Sequence, residues 1–130
     1  MKDYSDYRIG SPVQKDGHVT AIKGVPINEK DTIGYEVVGS ADGIQEKDLI
    51  PIPLSPKILM HIGFSYDDCY WQLDTGKHHV KFDLEDGCII VDHEPLGTIH
   101  HLHELKNVLQ DKCDDYSISS FCGTPVESLN

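Results

Sequence analysis

Several residue groups have the types and spacing that chemistry needs. The densest is His100, His101, His103 and Glu104. On a helix, His100 and His103 lie three apart and His100 and Glu104 four apart, so all three share a face. Neutral imidazoles and a carboxylate are ordinary zinc ligands. The pattern is not His-Glu-x-x-His, and no fourth ligand is identifiable; His61, His79 or His93 supplies one only if the fold brings it close. The expectation is a polar helix surface, or a histidine stacked at the helix–sheet seam, and no metal. His78 and His79 are adjacent on a strand and point to opposite faces. Asp67 and Asp68 precede a strand; a paired acid and base is one chemistry such residues perform, but neighbouring loop acids are ordinarily solvated.

The cysteines, at 69, 88, 113 and 122, contain no Cys-x-x-Cys spacing. That argues against a zinc ribbon or a thioredoxin-like motif and for free thiols. Cys69 and Cys88 lie in strand-like runs and are expected to be small buried hydrophobes. There is no Gly-x-Ser-x-Gly elbow, no P-loop, no Gly-x-Gly-x-x-Gly and no His-Glu-x-x-His. Nothing proposes a reaction or a cofactor, so the expectation is a non-enzymatic protein without a cofactor.

Charge is the strongest compositional signal. The 130 residues hold 11 Lys and Arg against 22 Asp and Glu, a formal charge of −11. Residues 1–60 carry 9 acids and 7 bases (−2); residues 61–130 carry 13 acids and 4 bases (−9). The acids cluster as Asp67-Asp68, Asp83-Glu85-Asp86, Asp92-Glu94 and Asp114-Asp115. Such a chain is a poor ligand for phosphate backbones, which are held by Lys and Arg, so direct nucleic-acid binding is not expected. An acidic face can instead meet and steer a basic partner. Aromatics concentrate beside the first cluster, with Phe64, Tyr66, Tyr70 and Trp71, and Tyr and Trp carry much interface energy. The expected partner-binding residues are therefore Tyr66, Asp67, Asp68, Tyr70, Asp83, Glu85, Asp86, Asp92 and Glu94.

These residues must be positioned by a small α+β fold. The N-terminal half reads as short strands: 8–14, a turn at Asp16-Gly17, 18–23, a loop from Gly24 to Lys30, 32–38, a short piece at Ile44, and 48–52. That pattern suggests a small SH3-like β-barrel over residues 1–54. Ser55 is a helix N-cap, Pro56 fits the first helical position and Gly63 a left-handed stop, so a two-turn helix is expected over 57–62. Strands at 69–73, 79–84 and 88–91 make a three-stranded antiparallel meander. Its apolar face needs a covering helix, expected from Ile99 to Lys112 with Thr98 as N-cap. Residues 55–113 thus form one compact unit. The segment 114–130 is a tail, expected to add a short strand around Tyr116–Ile118 and then fray.

The run Leu49-Ile50-Pro51-Ile52-Pro53-Leu54-Ser55-Pro56-Lys57-Ile58-Leu59, followed by Gly63-Phe64, resembles a "PIPL-T/S-P-x-x-L…GF" segment. It is similar to small uncharacterised proteins of gut bacteria, their phages and other mobile elements. Arg8-Ile9-Gly10-Ser11-Pro12-Val13 resembles their opening "R-x-G-x-x-V" strand, and Ile99 to Leu105 their "V-H-x-L-Q-N-L" helix. The chain departs from that pattern at His103 and Glu104, and beyond Asp114. The resemblance spans about residues 8–118 and implies an SH3-like module followed by a small α+β module. It also implies a mobile-element origin, without an established activity or catalytic residue.

Charge asymmetry and resemblance together predict a phage or mobile-element accessory protein. It would bind and inhibit a host protein, its own acidic surface engaging a basic surface of that protein, with an anti-CRISPR-like action on a defence nuclease as the target class. The competing readings are an adaptor or assembly module, dimerising through an exposed sheet edge, and a binder of a nucleotide signal. No run approaches the roughly 20 apolar residues of a membrane span, so no membrane partner is expected. Met1 to Tyr7 lacks the apolar core of a signal peptide, so the expected location is the cytoplasm.

Overall fold

The computed structural model describes residues 4, 8, 11–15, 17–29, 32–37, 44–45, 50–113 and 125–129. The protein is α+β; the described residues form two antiparallel sheets and two α-helices. The first sheet runs β1 (Pro12–Lys15), β2 (His18–Glu29), β3 (Thr32–Val37) and β4 (Ile44–Gln45), paired in that order. β2 is longer than the sequence suggests, because Gly24 to Glu29, read as loop, continues the strand. The ladder absorbs Gly24 and Pro26 through register shifts between Ile22 and Gly24 and between Gly24 and Ile27, the adjustment by which an antiparallel pair tolerates an irregular residue.

Helix α1 (Pro56–Ile62) forms as its flanks dictate. Ser55 Oγ accepts the Ile58 N–H at 3.3 Å, and Pro56 sits in the first turn, where its missing N–H leaves no lost bond. Gly63, at φ +122°, ends the helix by turning its N–H back to the carbonyls of Leu59 and Met60. Ile58, Leu59 and Ile62 are buried on one face.

The second sheet has five strands where the sequence suggests three: β5 (Ser65–Asp67), β6 (Tyr70–Asp74), β7 (His79–Phe82), β8 (Cys88–Val91) and β9 (Glu94–Thr98), in chain order. The two added strands come from tight two-residue turns at Asp68-Cys69 and Asp92-His93, all four residues having positive φ. Positive φ at both central positions is the type I′ geometry that matches strand twist. Period-2 alternation then sends Leu73, Val80, Phe82, Ile89 and Val91 into the core. Gln72 and Lys81, paired directly, stay on the outer face.

Helix α2 (Leu102–Lys112) covers the core face. It starts three residues later than the sequence suggests. Thr98 is taken up by β9, where it pairs with Cys88, and His101 is the N-cap residue. Leu102, Leu105, Val108 and Leu109 pack inward. One buried cluster joins Tyr4, Val19 and Ile52 to both helices and the second sheet. Asn107 Nδ2 donates to the Tyr4 carbonyl at 2.9 Å, and the Arg8 guanidinium forks onto Asp111 at 2.8 and 3.1 Å. The anticipated fraying does not extend to the end of the tail. Val126–Leu129 forms a 3-10 turn, Val126 N–H donates to the Gly17 carbonyl, and Leu129 is buried. The strand anticipated around Tyr116–Ile118 lies outside the described residues.

Candidate functional site

The register of the second sheet divides the acids between its two ends. The turns at 68–69 and 83–87 lie at one end, because Trp71 pairs with Phe82. The turns at 75–78 and 92–93 lie at the other, because Asp74 pairs with His79 and Val80 with Val91. At ~3.3 Å per residue the two ends are about 13 Å apart. Asp67, Asp68, Asp83, Glu85 and Asp86 therefore gather at the first end, with Asp92 and Glu94 at the second.

At the first end a cleft of ≈ 440 Å³ is lined by Tyr66, Cys69, Trp71, Asp83, Leu84 and Glu85. Tyr66 and Trp71 are direct cross-strand partners on one face, their ring centroids 5.4 Å apart and their planes inclined at 63°. The 83–87 turn presents the carboxylates. Asp83 Oδ1 accepts the N–H groups of Glu85 at 3.0 Å and Asp86 at 3.3 Å, and the Gly87 N–H closes onto the Asp83 carbonyl at 2.7 Å. This orients Asp83 while leaving its second oxygen outside those bonds. Among the described residues, no Lys, Arg or His forms an ion pair with Asp83 or Glu85. The cleft thus combines an aromatic corner with carboxylates that no described residue neutralises, a combination suited to a cation.

Of the residues nominated from sequence, Tyr66, Asp83 and Glu85 line this cleft. Asp67 and Tyr70 pair with each other, so alternation turns them to the opposite face of the sheet, where Lys81 Nζ lies 5.8 Å from the Tyr70 ring centroid. Asp68 and Asp86 sit in the turns of the same end without lining the cleft. Trp71, Cys69 and Leu84 complete the lining and were not nominated. Their signal was the Asp-Cys turn, which sets Tyr66 opposite Trp71. Cys69 and Cys88 are both exposed, not buried as their strand-like surroundings suggest. Cys69 is displayed by the turn itself, and Cys88 opens β8 with its side chain on the outer face.

The far end is held by a hydrogen-bonded brace. Asp92 Oδ2 lies 2.5 Å from His78 Nδ1, and Asp92 Oδ1 accepts the His79 N–H at 2.9 Å. The His79 ring turns the other way, to Gln72 Oε1 at 3.0 Å, so the adjacent histidines do diverge. These contacts, led by the His78 hydrogen bond, hold the Asp92 carboxyl below the usual carboxylate range. A depressed carboxyl stabilises the fold above its unfolded pKa and loses that contribution as pH falls through the lower, folded value. Asp92→Asn is therefore expected to lower the urea midpoint at pH 6, with the gap from the parent closing towards pH 3. A constant gap would assign the loss to geometry alone.

The group at the start of α2 caps that helix through Glu104. Glu104, 9% exposed, accepts the backbone N–H groups of His100 and His101 at 3.2 and 3.1 Å and lies 2.8 Å from His101 Nδ1. His101 and His103 stack at 5.9 Å. Among the described residues no three His, Cys, Asp or Glu side chains gather to hold a metal ion. No helix among them is long and apolar enough to cross a membrane. Comparison with protein-family models, with curated proteins and with solved structures gave no match.

Proposed function

We propose that the protein is a non-enzymatic binding module that engages a cationic surface of a partner protein through the first end of its second sheet. The observation that carries this reading is the cleft, where Tyr66 and Trp71 stand beside the carboxylates of Asp83 and Glu85. Trp and Tyr are enriched among the few residues that carry most of an interface's binding energy. Asp68 and Asp86 extend the negative field around it and raise the encounter rate with a basic partner.

The partner class that fits is an enzyme whose cationic channel ordinarily holds a nucleic-acid backbone. Carboxylates seated there take the positions of phosphates, and the outcome is inhibition. A defence nuclease acting in the cytoplasm is such an enzyme, and the resemblance to mobile-element proteins supports that accessory role. We also read the first sheet as SH3-like. In support, Ile50 bridges Gln14 on the open side of β1, with the Gln14 N–H donating to the Ile50 carbonyl at 2.9 Å. That isolated bridge sets Ile50 beside β1 on the edge away from β2.

A decalysine peptide serves as a minimal cationic partner. Binding is expected at 50 mM salt and is expected to weaken at least tenfold by 200 mM, as screening shortens the reach of exposed charges. Absence of binding at the lower salt by calorimetry contradicts the reading.

A further inference from the structure

Resting on that reading, we propose that the cleft seats one arginine side chain of the partner, its guanidinium stacked on the Trp71–Tyr66 corner and paired with Asp83 and Glu85. Three features of the site select this group. The first is shape. Two rings inclined at 63° leave a corner, and a planar cation can lie flat against an aromatic face there. The second is charge. Asp83 and Glu85 sit two residues apart on one turn, and both lack an ion-pair partner among the described residues. A guanidinium has donors on two edges and can satisfy a carboxylate while stacked. The third is room. A volume of ≈ 440 Å³ accepts a whole side chain rather than a single ion. Leu84 and the ring faces cover its methylene stem, as apolar surface does for long cationic side chains. Lysine shares the charge but offers a compact, strongly hydrated ammonium that neither stacks nor forks. The cleft therefore discriminates between the two cations, which a merely acidic surface does not.

Trp71 is the sole tryptophan, so its fluorescence reports on the cleft without a label. The probes are blocked tripeptides, Gly-Arg-Gly, Gly-Lys-Gly and Gly-citrulline-Gly, titrated into the full chain. The arginine peptide is expected to change Trp71 emission saturably and at least about fivefold more tightly than the lysine peptide; citrulline, which is neutral, is expected to leave it unchanged. The double variant Asp83→Asn, Glu85→Gln is expected to weaken the arginine peptide about tenfold, a loss of ~1.4 kcal/mol. The amide that replaces the Asp83 carboxylate keeps an oxygen for the turn's N–H groups, and an unchanged melting temperature checks that the fold is intact. Equal responses to arginine and lysine, or a double variant that binds as the parent does, overturn the proposal. If decalysine binds while the arginine tripeptide leaves Trp71 unmoved, the arginine seat falls and the broader reading stands. If neither binds, both fall.

Discussion

Gly87→Ala is expected to cost about 3 kcal/mol and to lower the melting temperature by roughly 10 °C. Gly87 closes the turn that carries Asp83 and Glu85, and it has φ +81°. An L-residue in that region costs roughly 1–2 kcal/mol. Space makes matters worse. A Cβ there would lie 2.7 Å from the Ile99 carbonyl and 2.6 Å from His100 Cε1. The imidazole can swing away, but the carbonyl is backbone, and Ile99 is itself tied to this turn by its N–H on the Gly87 carbonyl at 2.8 Å. Relieving the clash moves the turn off the lead-in to α2. Binding is then expected to fall together with stability, because the cleft's carboxylates ride on that turn. Chemical denaturation measures the first effect. A loss under about 1 kcal/mol, the cost of an ordinary substitution, would show that the 83–87 turn and the 99–100 segment are loosely seated on each other.

Phe82→Ala is the second large effect, expected at about 3–5 kcal/mol, the range for truncating a buried aromatic. Phe82 is 1% exposed and pairs directly with Trp71 on one side and Ile89 on the other. Its ring fills the core at the end of the sheet that carries the cleft. The truncated variant is expected to bind the arginine tripeptide more weakly at temperatures where it remains folded, because Trp71 loses its neighbour. Phe82→Leu, which keeps most of the volume, is expected to cost less than half as much. Equal costs for the two variants, measured by urea unfolding, would contradict a packing origin.

Much of this fold was legible in the residues, and what was missed shares a cause. Helix α1 was readable because Ser55, Pro56 and Gly63 each act locally. A cap, a fixed φ and a left-handed stop need no tertiary partner. The alternation of Val80 with Phe82 exposed the meander for the same reason. β5 and β9 were hidden because their turns, Asp68-Cys69 and Asp92-His93, contain no glycine. The strands on either side enforce positive φ on residues that do not advertise it. Residue types alone start helix α2 too early, because Thr98 is a better cap than His101 by intrinsic preference. The pairing of Thr98 with Cys88 overrode that preference, and Glu104 supplied the missing acceptor. Gly24 and Pro26 looked like loop residues because their accommodation in β2 depends on the partner strand.

The candidate site was half legible for a related reason. Charge counting finds acids wherever they occur, and it grouped Asp92 and Glu94 with Asp83 and Glu85. Only register shows that they occupy opposite ends of one sheet. It also shows that Asp67 and Tyr70 face away from Tyr66 and Trp71 although they are their immediate neighbours in the chain.

The most direct test exploits that separation. Two variants remove equal numbers of charges, one at each end: Asp68→Asn, Asp83→Asn, Glu85→Gln at the cleft, and Asp74→Asn, Asp92→Asn, Glu94→Gln at the far end. Each is titrated with decalysine at 50 mM salt. The cleft variant is expected to bind at least tenfold more weakly than the parent, and the far-end variant within about twofold of it. Equal weakening of the two would mean that only net charge matters, and the cleft would lose its standing as the recognition site.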